Sequence, residues 1–151
     1  MKAPIRSLPT LPCLCANLRR AARAVTHRYE EALRPLGLRA TQFTILQVLE
    51  RTGEITQGEL GDLLATDSTT LTRTLHIMCR KGWVAERTGS DRRERRLRLA
   101  KGGRTQLVRA TPAWEKVQSQ IAQALGTKSW HDLFTLTGEV ARLATSQGDL
   151  S

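Results

Sequence analysis

Residues 56–82, TQGELGDLLATDSTTLTRTLHIMCRKG, decide the fold of this chain. Thr56 followed three residues later by Glu59 is a Thr-x-x-Glu pattern, in which hydroxyl and carboxylate reciprocally cap a helix start. The helix it opens is short: Leu60, Leu63 and Leu64 give the inward face, and Ala65-Thr66 turn the chain. Asp67 or Ser68 then caps a second helix, whose Leu71, Leu75, Met78 and Cys79 fall at helical spacing. Lys81-Gly82 closes it, glycine supplying the left-handed terminal residue. A short helix, a tight turn and a longer helix form a helix-turn-helix. The second helix carries Ser68, Thr69, Thr70, Thr72 and Arg73 near its N-terminal end and His76 one turn beyond Thr72.

Downstream the hydrophobic period changes. Trp83 to Arg87 reads as a short strand, and Arg95-Arg96-Leu97-Arg98-Leu99 alternates charged and apolar residues as a half-exposed strand does. Between them, Thr88 to Glu94 is a turn-forming tip rich in charge, so the segment is a β-hairpin with a basic tip. Helical signals resume after Lys101-Gly102-Gly103, through Leu107, Val108, Trp114, Val117, Ile121 and Leu125, with Pro112 either kinking or restarting the helix. A last helix holds Trp130, Leu133, Phe134, Leu136, Val140 and Leu143.

Upstream, Thr41 is placed to cap a helix carrying Phe43, Ile45, Leu46, Val48 and Leu49 and ending by Gly53. Before that, Leu14, Leu18, Ala21, Ala22, Val25, Tyr29, Ala32, Leu33 and Leu36 make one apolar stripe, stopped by Pro35 and Gly37. At about 1.5 Å per residue this helix exceeds roughly 30 Å, longer than a small single-chain core requires, so a second copy is expected to cover it. Pro4, Pro9 and Pro12 make residues 1–12 a flexible arm. The expected fold class is mainly α with a small β-hairpin. Residues 13–151 form one domain, with dimerisation helices at 13–36 and 104–147 around a winged helix-turn-helix at 41–100.

Composition narrows the partner. The chain has 151 residues, 40% of them hydrophobic and 25% charged, an ordinary globular balance. Its apolar runs are far short of the roughly 20 residues that span a bilayer, and its N-terminus lacks a secretory signal pattern, so a cytoplasmic protein without a membrane partner is expected. There are 24 basic against 14 acidic residues, a formal net charge of +10, and the surplus is segmental. Residues 79–104 carry 10 basic and 3 acidic side chains, whereas 41–78 carry 2 and 5. A concentrated positive patch predicts a polyanion, nucleic acid before membrane. A helix about 10–12 Å across enters a DNA major groove about 12 Å wide, placing hydroxyl and arginine side chains near its N-terminus at base edges. Arg92, Arg93, Arg95 and Arg96 on the hairpin would lean on the neighbouring minor groove, with Asp91 holding Arg93 through a salt bridge.

The ordered set Leu60-Gly61-Asp62-Leu63-Leu64, Ser68-Thr69-Thr70-Leu71-Thr72-Arg73, Arg80-Lys81-Gly82-Trp83-Val84, Asp91-Arg92-Arg93 and Leu97 to Gly103 resembles the multiple antibiotic resistance regulator (MarR) family, from about Cys13 to Leu143. Ala100 departs from the threonine many members carry there. The resemblance implies a homodimeric winged helix-turn-helix regulator of transcription, usually a repressor, bound to a pseudo-palindromic operator in double-stranded DNA. It also implies first and last helices that form the dimer, and release by a small-molecule inducer or by thiol chemistry. A nucleoid-associated or RNA-binding basic protein without operator specificity is the alternative that the same surface allows.

The three cysteines leave two readings open. Cys13 and Cys15 straddle the start of the long helix, where a positive helix end and nearby arginines favour thiolate, so either is a candidate thiol sensor or a packing residue. Cys15 is similar in register to the sensing cysteine of the organic hydroperoxide resistance regulators, and Tyr29 to one of their tyrosines. Those sensors bring further tyrosines, and this chain has only Tyr29. Cys79 shares the apolar side of its helix with Leu75 and Met78. Tyr29, Trp114 and Trp130 are candidates for a ligand pocket, or core. No metal-ligand spacing, phosphate-cradling loop, nucleophile–base pair or carboxylate pair stands out, so no metal, no cofactor and no enzymatic activity are expected.

Overall fold

The computed structural model describes residues 9–145, and the expectations for residues 1–8 of the arm and for 146–147 lie outside them. The elements follow in order as α1 (Leu14–Leu33), a single 3-10 turn (Arg34–Leu36), α2 (Ala40–Thr52), β1 (Glu54–Thr56), α3 (Gln57–Leu64), α4 (Ser68–Arg80), β2 (Val84–Thr88), β3 (Arg95–Leu99), α5 (Lys101–Leu125) and α6 (Thr127–Thr145). The chain divides into two compact units at Thr111/Pro112, within α5.

The first unit is built on Leu33, Leu38, Phe43, Ile45, Leu46, Leu49, Leu60, Leu71, Met78 and Leu97, all fully or almost fully buried. Its buried polar groups are paired. Gln106 donates to the Leu36 carbonyl at 2.5 Å, and the Gln42 side chain accepts from the Arg39 backbone N–H at 3.0 Å. Arg104 of α5 reaches Glu50 of α2 at 2.5 Å, an exposed pair that adds little.

Three local expectations change. The α2 start is Ala40, with Arg39 as its N-cap, so Thr41 lies inside the helix and does not cap it. The cap comes from across the fold: Glu30 of α1 accepts the Ala40 N–H at 2.9 Å, and Arg39 holds the same carboxylate at 3.3 Å. An acid from a neighbouring helix supplies the negative charge that a helix N-terminus favours. Of the two readings of Pro112, kink or restart, the restart does not occur, since α5 continues through it from Lys101 to Leu125. The hairpin is also part of a three-stranded antiparallel sheet, ordered β1-β3-β2. Glu54-Ile55-Thr56 pairs with Arg98-Leu97-Arg96, setting buried Ile55 opposite buried Leu97.

The hairpin joins its helices tightly. Gly82, at φ +70°, ends α4, its N–H reaching the Cys79 carbonyl at 3.0 Å and that of Trp83 the Met78 carbonyl at 2.9 Å. Lys81 Nζ lies 4.4 Å from the Trp83 ring centroid. Gly103, in the first turn of α5, packs against the Trp83 backbone, and a Cβ there would overlap the Trp83 carbonyl oxygen.

The second unit holds the remainder of α5, the left-handed Gly126 (φ +81°) and α6. The rings of Trp130 and Phe134 meet edge to face with centroids 4.8 Å apart. No described residue of α6 is fully buried, and Leu133, Phe134 and Leu136 are exposed. No described helix is long and apolar enough to cross a membrane.

Candidate nucleic-acid interface

Both helix starts of the helix-turn-helix form as their sequence requires. At α3 the Thr56 hydroxyl accepts the Glu59 N–H at 3.1 Å, and Glu59 accepts the Thr56 N–H at 2.9 Å. The turn closes with Ala65 in the left-handed conformation (φ +47°) and the Thr66 N–H on the Gly61 carbonyl at 3.0 Å. Asp67, rather than Ser68, caps α4, accepting the Thr70 N–H at 2.9 Å.

Capping sets which face of α4 looks outward. Leu71, Leu75 and Met78 are buried, while Ser68, Thr69, Thr70, Thr72, Arg73 and His76 are exposed. The hydroxyls are not equivalent. Thr70 is bound to Asp67 and its carbonyl takes the Thr74 hydroxyl at 3.1 Å, so Thr70 helps build the cap. Thr72 Oγ1 accepts from Gln57 Nε2 at 2.8 Å. Ser68 and Thr69 hydroxyls make no hydrogen bond among the described residues, and Arg73 makes no ion pair among them.

On the hairpin the arginines divide in two. Glu54, in β1, takes both Arg87 nitrogens, Nε at 2.9 Å and Nη2 at 2.6 Å, and Arg96 at 3.4 Å. Arg96 also holds Glu94 at 2.6 Å, and Arg95 pairs with Glu86 at 3.1 Å. Arg96, expected to reach toward DNA, therefore ties β3 to β1. Arg95 reaches outward only by giving up Glu86. Arg92 and Arg93 are exposed with no ion pair among the described residues. Asp91 holds Arg93 by a different bond than expected, its Oδ1 accepting the Arg93 backbone N–H at 2.9 Å. That turn bond two residues along reaches a nearer donor than the guanidinium, which stays free. The Glu94 N–H on the Asp91 carbonyl (2.9 Å) and the Gly89 N–H on the Glu94 carbonyl (2.7 Å) complete the tip.

These elements enclose an open groove of about 700 Å³, which brings Ser68 and Thr72 of α4 together with Arg93 and Arg95 of the hairpin. Thr69, Arg73, His76 and Arg92 do not line it. The groove also takes in Gln57 and Gly58 at the α3 start, which the sequence reading passed over. Nothing local marked Gln57, because its partner lies fifteen residues on and meets it only once the turn has formed.

Three carboxyls here sit below their ordinary values. Glu54 is lowered first by its hydrogen bond to Arg87, Glu59 by the Thr56 backbone N–H, and Asp67 by the Thr70 hydroxyl. A carboxyl depressed on folding contributes stability that is complete above its unfolded pKa and fades as pH falls through the folded value. Melting temperature is therefore expected to decline as pH drops below about 4.5, the ordinary glutamate value. Glu54→Gln should flatten part of that decline, which thermal melts by circular dichroism between pH 6 and 3 would show.

The other candidates fall elsewhere. Cys13 and Cys15 are exposed at the start of α1, and Arg19 donates to Cys15 Sγ at 3.1 Å. Asn17 clips the segment before the helix, accepting the Leu11 N–H at 3.0 Å and donating to the Leu11 carbonyl at 2.6 Å. Burial first, and then the charge of Glu86, push the Cys79 thiol up, so thiolate is disfavoured there. Burial also raises the Tyr29 phenol; Tyr29 belongs to the first unit, Trp114 and Trp130 to the second. Among the described residues no three His, Cys, Asp or Glu side chains converge as a metal site.

Comparison with known proteins agrees with this geometry. The MarR family model matches residues 36–94. The chain is similar to the Mycobacterium tuberculosis transcriptional regulator MosR, solved in complex with DNA, with 37% identity and a TM-score of 0.76 over 89% of this chain and 99% of that one. It is similar also to a mutant MarR from Escherichia coli complexed with operator DNA, with 25% identity and a TM-score of 0.75 over 84% of this chain and 92% of that one. An uncharacterized helix-turn-helix-type transcriptional regulator of Bacillus subtilis, YwoH, is 34% identical over 88 residues, which are 58% of this chain and 64% of that protein. The chain thus spans just under two thirds of that curated relative.

Proposed function

The chain belongs to the MarR family, and from that premise we propose that it is a homodimeric regulator of transcription that binds double-stranded DNA at a specific operator and acts as a repressor. One observation carries the DNA reading: a single groove brings the start of α4, with its outward hydroxyls, together with arginine at the hairpin tip. Base-edge contact from α4 and charge contact from the hairpin are the two components of winged-helix recognition, the first reading sequence and the second holding register. The DNA complexes of MosR and of E. coli MarR support the same assignment.

Two-fold symmetry is supported by the apolar residues that α1 and α6 each leave uncovered. Leu14, Leu18 and Val25 of α1 are exposed, as are Leu133, Phe134 and Leu136 of α6. Covering such faces with a symmetry mate removes apolar surface from water and sets two recognition helices at a fixed separation. Sedimentation at micromolar concentration is expected to give about twice the 16.8 kDa chain mass. A monomer would overturn the two-fold operator. Selection from a random duplex library is the test of function, with enrichment expected of a pseudo-palindrome whose half-sites are about 10 bp apart, or a multiple of that. Uniform binding without a motif would favour a nucleoid-type or RNA-binding protein.

Release from DNA takes either of two routes under this reading, a small ligand or thiol modification. The second is favoured by the exposure of Cys15, whose Sγ accepts from Arg19 at 3.1 Å and is open to an oxidant. Gel shifts of wild type, Cys13→Ser, Cys15→Ser and Cys79→Ser, each with and without peroxide, separate the two. Loss of the response only in Cys15→Ser or Cys13→Ser assigns the thiol route; four identical responses assign a non-covalent ligand.

A further inference from the structure

Helical threonines in this chain commonly turn their hydroxyls back on the carbonyl four residues earlier, as Thr44, Thr74, Thr105 and Thr111 do. Thr72 does not. Its Oγ1 instead accepts the Gln57 amide at 2.8 Å, across the turn from the first residue of α3. A hydroxyl has one proton to donate. With one of its two lone pairs taken by Gln57 and its proton not directed at the α4 backbone, Thr72 presents that proton to the groove it lines. Thr72 is exposed and Gln57 half-buried, so the hydroxyl is open to the groove.

We propose that Gln57 is a positioning residue for sequence choice: it holds Thr72 as a hydrogen-bond donor, so that this position selects an acceptor on the base edge. This rests on the DNA-binding reading above. The acceptors available in the major groove are the purine N7, guanine O6 and thymine O4, whereas the exocyclic amines of cytosine and adenine are donors. The Gln57–Thr72 pair therefore determines the polarity of one contact, a property that neither residue carries alone.

The experiment measures the affinity of wild type, Gln57→Ala, Gln57→Glu, Thr72→Val and the Gln57→Ala/Thr72→Val double variant for every single-base change in the selected half-site, at one salt concentration. Gln57→Ala and Thr72→Val are each expected to lose about tenfold of discrimination at the same base pair, the scale of one hydrogen bond, with the double variant losing no more than either single. Gln57→Glu turns the pair round. Its carboxylate accepts a hydrogen bond from the Thr72 hydroxyl, which then offers only lone pairs to the groove, and preference at that base pair should move toward a donor edge. The added negative charge will weaken binding to all sequences together, and the readout is preference, not affinity. Thermal melts confirm that each variant is folded. The proposal is overturned if Gln57→Ala weakens all sequences equally, or if its altered position differs from that of Thr72→Val. Wild type without a selected motif would overturn the DNA reading first, and this inference with it.

Discussion

Replacing Arg92 and Arg93 together with alanine is expected to lower affinity for every duplex sequence alike and to reduce the slope of log affinity against log salt by about two units. Both side chains are exposed at the hairpin tip without an ion pair among the described residues, so each can meet a phosphate without breaking a bond within the protein. Arg95 must first leave Glu86, and Arg96 is held by two carboxylates. Arg95→Ala should therefore change the slope by less than one unit, and Arg96→Ala should show mainly as lower thermal stability. Asp91→Ala should reproduce part of the double loss by loosening the tip backbone that presents Arg93. Titration of a labelled duplex at several salt concentrations measures all of these. Equal slopes for wild type and the double variant would show that the hairpin does not touch DNA.

Gly103→Ala is expected to be the most damaging single-methyl change in the first unit. The new Cβ would fall on the Trp83 carbonyl, which already accepts the Ala100 N–H at 3.0 Å, and would also press on Leu99. Carbonyl and helix are both backbone, so relief requires the hairpin base to move away from α5. Overpacking of this kind costs about 1–3 kcal/mol, occasionally more. At this chain length that is a fall of several degrees in melting temperature, roughly 2–4 °C per kcal/mol. Gly58→Ala is the control, since a Cβ there meets nothing and α3 gains helix propensity. A Gly103→Ala protein that melts with wild type would contradict the close approach of α5 to the hairpin.

Much of this architecture is legible in the sequence because it is written locally. The Thr56–Glu59 box, the α4 cap and the Gly82 terminus each need only residues within one helical turn; the first and last form as read, and of the two cap candidates Asp67 is the one used. The strand β1 was hidden because three residues between a helix end and a capping box are too few to show a period. Glu30 as the cap of α2 was hidden because capping rules search neighbours in sequence, and this acid arrives from ten residues away. The same limit applied at the site. Position and residue type identified the outward face of α4, but not which hydroxyls were already engaged. Basic residues were likewise counted together on the hairpin, although three of its arginines fasten the sheet and only contacts across strands separate them from those at the tip.

Thr56 lies at a junction: it faces Arg96 in the β1–β3 ladder and, in the same residue, caps α3. The base of the hairpin is thereby locked in register to the reading helices, and sliding β3 by one residue would turn Leu97 from core to solvent. The tip is under no such constraint, since residues 89–94 bond chiefly among themselves. Insertions and deletions can accumulate there without disturbing Gln57, Thr72 or the helices that carry them. Divergence among duplicated copies of such a gene can then retune reach along the minor groove and choice in the major groove separately, by loop length in one case and by point substitution in the other.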